Sequence, residues 1–387
     1  MKVLTIFIDM IRANRLSTFN SEIKLDTPLD TAFKELGGTV YNNCFTEGPD
    51  TPRGMSSYFT GVSSVNNGCN TRLKWPKFFL DNSIDTVFDI FDNMNYKLDL
   101  FSSTSERETG LFPFKIDQRN IHNKSNNLRE FLDDVKLEDD HFLFISIPDY
   151  HWAFDDFGYT KIGEKKSYEV TKNVWDIVFE YFDKDDFDHI FVFSDHGFKF
   201  SAERKKQQNK MMLNDDRTNS IMLHREKHVN TLSTNNKLCS LSDLFPTYQD
   251  ILGLDIDRGI SLLSDNEKEY IVIEDHINFA PSLNQNIELW AVVTSKSIYI
   301  RDLDEGVLFD RKSRNTQNVI IPEYDDILLK ESSFDQYLDE YKKIFLYKKN
   351  ISSKSKSKYM NGINRKSTSN LFKRARIFIE LLNTRLN

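Results

Sequence analysis

An α/β fold, with a mainly parallel sheet sandwiched by helices and a smaller antiparallel α+β unit after it, is what this 387-residue sequence predicts. Three observations lead there. Four short apolar runs each end in a polar or acidic residue. Helical patterns separate them. Beyond about residue 264, strand-like runs follow one another without long helices between them. Strands alternating with helices imply a parallel sheet covered on both faces.

Residues 3–8 form a compact, β-branched apolar run ending in Asp9, which reads as a buried parallel strand. Similar strands are expected at 96–101 leading into Ser102, at His141–Ile147 leading into Asp149, and at His189–Phe193 leading into Ser194-Asp195-His196-Gly197. Helical patterns cover Pro28–Leu36, 127–135 and 168–182. Function in such sheets gathers beyond the carboxyl ends of the strands, where Asp9, Asp149 and Asp195-His196 lie. Strands at 269–274, 289–293 and 297–302 and a helix at 334–347 follow. The expected units are a catalytic domain over 1–264, a smaller subdomain over 265–350, and a linker and tail over 351–387.

Hydrophobic residues make up 39%, enough for a sizeable core, and 31 Phe suggest that it is rich in rings. The net charge of −8 argues against general nucleic-acid binding. Cys44, Cys69 and Cys239 are too few for a disulfide framework and point to a reducing, cytoplasmic setting. The apolar start of the chain is too short for a signal peptide, and no run approaches the ~18 apolar residues of a membrane span. The stretch 370–387 mixes basic and bulky apolar residues. It suits peripheral contact with an anionic inner-membrane surface, or packing on its own domain or on a second subunit of a homo-oligomer.

The chemistry-bearing residues sit at strand ends. Asp195-His196 offers a carboxylate and an imidazole to a divalent ion, with Gly197 letting the backbone turn away; a turn capping the next element is the plainer reading. Asp9, at a second strand end, can converge on the same ion. In Gly48-Pro49-Asp50-Thr51-Pro52-Arg53-Gly54, a loop enters a segment able to start a helix. A Thr51 hydroxyl there would face backbone N–H groups, a setting for attack on an anionic phosphorus centre activated by metal, with Arg53 clamping oxygens. Thr51 ahead of Pro52 also reads as an N-cap, and the two readings are compatible. His151 suits general-acid work or a structural place beside Trp152. Lys199 either pairs with substrate oxygens or is solvated, while His224 and His228 read as surface histidines rather than distal ligands.

Together these segments resemble the sulfatase-like branch of the alkaline phosphatase superfamily. Residues 7–16 are similar to the family's D-T-L-R-A-D-R-L start, and 38–44 to the segment leading into its nucleophile. Thr60-Gly61 resembles the T-G closing that motif, and Ser194-Asp195-His196-Gly197 its metal-binding S-D-H-G. Residues 242–247 resemble D-L-x-P-T, and 257–262 resemble D-G-x-S-L. The pieces keep the family's order.

The resemblance implies that Asp9, Asp195 and His196 hold one or two divalent ions (Mn, Mg, Ca or Zn). It makes Thr51 the nucleophile and a fourth ligand, and His151 a substrate contact or leaving-group acid. Counting back from Thr60-Gly61 selects Thr51, whereas counting from Pro52 selects Asp50. Related phosphoethanolamine and phosphoglycerol transferases use a threonine. A threonine cannot become the formylglycine that sulfatases need, so sulfate-ester hydrolysis is disfavoured. Met10 stands where many sulfatases have a second metal-binding Asp, and Arg53 is displaced by one position. The expected activity is metal-dependent phosphotransfer between a phosphorylated small-molecule donor and a sugar or glycan acceptor, in cell-surface polysaccharide biosynthesis. The alternatives are a phosphodiesterase or phosphomonoesterase, and a degenerate phospho-glycan binder.

Overall fold

A computed structural model of the chain describes residues 1–69, 80, 81, 83–102, 127–198, 213–278, 286–335 and 338. Lys199, the segment 351–387 and most of the helix expected at 334–347 lie outside them; Phe334, Asp335 and Leu338 are helical.

Seven strands form the main sheet: β1 (Lys2–Ile8), β2 (Gly38–Phe45), β3 (Lys97–Phe101), β4 (His141–Ile147), β5 (His189–Phe193), β6 (Met222–Glu226) and β7 (Leu232–Ser240). Their order is β3-β4-β1-β5-β6-β2-β7. All neighbours run parallel except β6, which is antiparallel to β5 and to β2. The mainly parallel sheet is therefore as the sequence predicts.

Burial on both faces follows from the period of two along β1. Leu4, Ile6 and Ile8 pack with Phe33 of α1 (Pro28–Leu36), Phe131 of α4 (Leu128–Asp134) and Trp175 of α6 (Lys161–Tyr181). Val3 and Phe7 face the other way, toward Tyr58 of α2 (Thr51–Thr60), Phe91 of α3 (Val87–Asn93) and Tyr248 of α8 (Leu244–Ile251). Two further helices are α5 (Asp149–Phe157) and α7 (Asp215–Thr218). Thr5, the polar residue on that second face, is satisfied by the Tyr248 hydroxyl at 2.8 Å. Helix α1 starts on a Thr27/Asp30 capping box with Pro28 in its first turn. Helix α6 begins seven residues before the predicted 168, at a Thr160 N-cap that accepts from the Gly163 N–H at 3.1 Å.

A second sheet, ordered β12-β11-β10-β9-β8, is antiparallel throughout. It comprises β8 (Ile271–Asn278), β9 (Asn286–Val293), β10 (Ser297–Arg301), β11 (Gly306–Asp310) and β12 (Thr316–Asn318). One face packs on Phe45, Leu213 and Leu238 of the main body. The other carries Trp290, Val292 and Tyr299 under Leu328 of α9 (Pro322–Glu331). The sequence reading contained no helix at α9 and no strands at β2, β6, β7, β11 or β12.

Candidate active site

The central strand β1 lies between β4 and β5, so three neighbouring carboxyl ends open at one place. Asp9 leaves β1, Asp195 and His196 leave β5, and the chain after β4 turns into α5, which carries His151 in its first turn. Asp9, Asp195 and His196 are all buried, and each offers a ligand atom within 4.8 Å of the others.

Their hydrogen bonds leave the ligand atoms pointed inward. Asp195 Oδ1 accepts from the backbone N–H of Met10 at 3.1 Å and of His196 at 2.8 Å. Its Oδ2 has no hydrogen-bond donor among the described residues and lies 3.3 Å from His196 Nε2. His196 Nδ1 is 2.6 Å from the Gly197 carbonyl oxygen, which places its proton there and leaves Nε2 with a lone pair. A buried carboxylate oxygen without a donor, an imidazole lone pair and a second carboxylate form a donor set that fits a divalent ion.

Electrostatics point the same way. Burial raises the Asp195 carboxyl to about 6, with Asp9 adding to the rise and His196 opposing it. For Asp9, burial also pushes upward, but the charge and hydrogen bond of His151 outweigh it, and the net shift is downward. His151 Nδ1 stands 2.8 Å from Asp9 Oδ2. Burial lowers the His151 imidazole and Asp9 raises it; Asp9 wins, and it reaches about 9.

The nucleophile candidate arrives on α2. Asp50 is the N-cap, accepting from the Arg53 N–H at 3.2 Å, and Thr51 is the first helical residue, so the Thr51 N-cap reading is corrected. With the Asp50 carboxylate committed to the cap and to Arg53, the hydroxyl facing the metal-ligand group is that of Thr51, which donates to Asp9 Oδ1 at 3.4 Å. The helix comes this close because residue 54 is glycine: a Cβ there would lie 2.8 Å from the Asp195 carbonyl oxygen and 3.1 Å from Thr46 Oγ1.

Arg53 does not take the expected place over phosphoryl oxygens. It is fully buried. Its Nε donates to Asp50 Oδ2 at 2.7 Å, Nη1 to the Glu274 carbonyl at 2.8 Å, and Nη2 to Asp275 Oδ1 at 3.0 Å. The other Asp275 oxygen pairs with Arg217, whose Nη2 holds the Pro49 carbonyl at 3.0 Å. Arg53 thus ties the loop before Thr51 to β8. The sequence gives no local signal for Asp275 or Arg217, because their partners are far away along the chain.

Of the remaining candidates, His224 departs from expectation. Met10 adopts φ 65° and turns its side chain into the apolar core, so it adds only its N–H to the site. His224 is buried on β6 rather than at the surface, 3.0 Å from His189 Nδ1, and burial pulls its pKa down to about 3. His228 is exposed, as expected, with φ 65°. The motif residues at 242–247 and 257–262 pack on each other: Thr247 Oγ1 accepts from the Leu262 N–H at 2.8 Å, and Arg258 holds the Thr60 carbonyl at 3.2 Å.

No family model matches the chain, and no curated protein matches it. Solved structures do. A 2-O GAG sulfatase superposes with a TM-score of 0.62 at 14% identity, over 88% of this chain and 91% of that one. A protein of the alkaline phosphatase superfamily from Vibrio parahaemolyticus gives 0.59 at 12% identity, over 88% and 86%. The lipoteichoic acid synthase LtaP from Listeria monocytogenes gives 0.57 at 12% identity, over 88% and 91%. With its seven-stranded helix-flanked sheet, its second antiparallel sheet and these structural matches, the chain has the sulfatase-like fold of the alkaline phosphatase superfamily.

Proposed function

We propose that the chain is a metal-dependent phosphotransferase that moves a phospho-substituent to or from a sugar or glycan through Thr51. The observation that carries this reading is the Thr51 hydroxyl at the start of α2, 3.4 Å from Asp9 Oδ1 and beside the buried Asp9, Asp195 and His196. These three residues would hold the ion, with Thr51 as a fourth ligand. When bound, the ion supplies Lewis acidity that lowers the Thr51 pKa and offsets charge on phosphoryl oxygens. Thr51 releases its hydroxyl proton to solvent and attacks phosphorus as the bond from phosphorus to the leaving oxygen breaks, and the N–H groups and dipole at the start of α2 favour the anionic centre. His151, with its Nδ1 2.8 Å from Asp9 Oδ2, donates a proton to the leaving oxygen. A sugar hydroxyl then takes the group from phosphothreonine. Arg53 is engaged elsewhere, and Lys199, which follows the Asp195-His196 turn in sequence, is the proposed partner of the phosphoryl oxygens.

A threonine in this place supports phosphorus over sulfur, since it carries a methyl on Cβ and cannot become an aldehyde. Two structures sharing the fold are named for a GAG and for lipoteichoic acid, which supports a polymer or its precursor as substrate. Thr51→Ala should abolish turnover of an activated phosphodiester while ion uptake, measured by titration, stays within a few-fold of wild type. Full activity in that variant sinks the mechanism. Product analysis with and without an added sugar acceptor separates transfer from plain hydrolysis.

A further inference from the structure

Arg12 lies in the turn after β1, three residues beyond Asp9, and it is fully buried. A guanidinium out of reach of water needs carboxylates to meet it. Arg12 meets two. Its Nε donates to Glu164 Oε1 of α6 at 3.0 Å, and its Nη2 pairs with the same oxygen. Its Nη1 lies 3.6 Å from Asp216 Oδ1 of α7. The guanidinium carbon also stands 4.5 Å from the centroid of the Phe198 ring.

These partners lead back to the segments that carry Asp9, His151 and Asp195-His196. Glu164 Oε1 also accepts from the Tyr150 hydroxyl at 3.5 Å and the Tyr168 hydroxyl at 3.3 Å. Tyr150 directly precedes His151 on α5, and His151 Nδ1 is 2.8 Å from Asp9 Oδ2. The path from Asp9 through Arg12, Glu164, Tyr150 and His151 therefore closes on Asp9.

A second path runs to β5. Asp216 accepts from Asn14 Nδ2 at 2.8 Å and from Arg15 Nε at 3.2 Å, which anchors α7 to the turn that holds Arg12. Gly197, next to His196, packs against both: its N–H donates to the Arg217 carbonyl at 3.0 Å. A Cβ at Gly197 would strike the Asp216 carbonyl oxygen and lie 3.2 Å from Arg12 Cγ. Phe198, the next residue, is the ring beside the guanidinium.

We propose that Arg12 is a positioning residue, which holds His151 and the Asp195-His196 turn in fixed places relative to Asp9. The planar fork of a guanidinium can face Glu164 and Asp216 at once, whereas an ammonium is a point charge with no such plane. This role presupposes His151 as the leaving-group acid and Asp9, Asp195 and His196 as ligands.

The test uses the full chain with Arg12→Lys, which keeps the charge and loses the fork. Manganese affinity is measured by calorimetric titration, and turnover is compared between bis(4-nitrophenyl) phosphate and diphenyl phosphate. Nitrophenolate leaves without help, whereas phenolate needs the proton of a placed acid. Manganese binding should weaken about ten-fold. The rate on diphenyl phosphate should fall about ten-fold further than the rate on the nitrophenyl ester. Glu164→Gln keeps the shape, weakens the same pair and should reproduce the leaving-group effect; it serves in place of Arg12→Lys if that variant does not fold. Variants with a lower thermal midpoint but wild-type manganese affinity and a wild-type ratio of the two rates would make Arg12 a staple of the fold and overturn the proposal. Variants equal to wild type in every measurement would overturn it as well. If His151→Ala leaves the ratio of rates unchanged in the wild-type background, the reading of His151 as acid fails, and manganese affinity alone decides the role of Arg12. A wild-type chain that neither binds manganese nor turns over either ester sinks the reading of the site, and this role with it.

Discussion

At the scale of single residues, the site depends on how one carboxylate is divided. Asp195 spends Oδ1 on two backbone N–H groups and has no donor to Oδ2 among the described residues, which leaves that oxygen open to an ion. Its carboxyl is raised to about 6, chiefly by burial. The folded, ion-free chain therefore holds this proton more tightly than the unfolded chain does. The group favours folding at low pH, and that contribution is lost as pH rises from the ordinary Asp value to about 6. Above that range the buried charge is a burden that a cation relieves. Ion affinity should accordingly climb as pH rises through about 6, and Asp195→Asn should remove the part of that climb that this carboxyl supplies. Calorimetric titration of manganese at several pH values would check this; a flat profile in the wild type would remove Asp195 from the ligand set.

At the scale of elements, what matters is how closely α2 approaches the end of β5. Gly54→Ala places a methyl 2.8 Å from the Asp195 carbonyl, a contact that only a backbone shift can relieve. A loss of about 1–3 kcal/mol in denaturant unfolding is expected, with weaker ion binding because Asp195 moves with the contact. The other constraint on the loop is the buried cluster of Asp50, Arg53, Arg217 and Asp275. Asp275→Ala leaves two guanidinium groups short of a partner, and a cost of about 3–5 kcal/mol is expected from the same measurement. The legibility of these elements follows from their surroundings. Strands β1, β4 and β5 are buried on both faces and so read as unbroken apolar runs. Strands β2, β6 and β7 carry Asn42-Asn43, His224-Arg225 and Asn235-Asn236, and β2 changes register between Tyr41 and Asn43, so no apolar period marks them. Asp195 and His196 are legible as candidate ligands because they are adjacent in sequence at a strand end. The pairing of Arg53 with Asp275 is not, because the partners are 222 positions apart.

At the scale of the whole molecule, ion binding and folding are linked. The proposed ligands come from two strand ends and the proposed nucleophile from a helix beyond a third strand, so the unfolded chain has no such site. An ion at about a hundred times its Kd should add roughly 2.7 kcal/mol to stability. A chelator should therefore lower the thermal midpoint by a few degrees, in one cooperative transition that moves with free ion concentration. A midpoint indifferent to manganese, magnesium, calcium and zinc would count against a metal centre. The placement of β1 in the middle of the sheet has a consequence for biosynthesis. Lys2 pairs with His141, and Val3 with His189, so β1 leaves the ribosome well before the partners it needs. Until β5 has emerged, Asp9 has neither Asp195 nor His196 beside it, and a nascent chain stalled before that point should retain no ion. The apolar strand β1 is left uncovered between its own synthesis and that of β5, and this interval is when the chain most needs a chaperone.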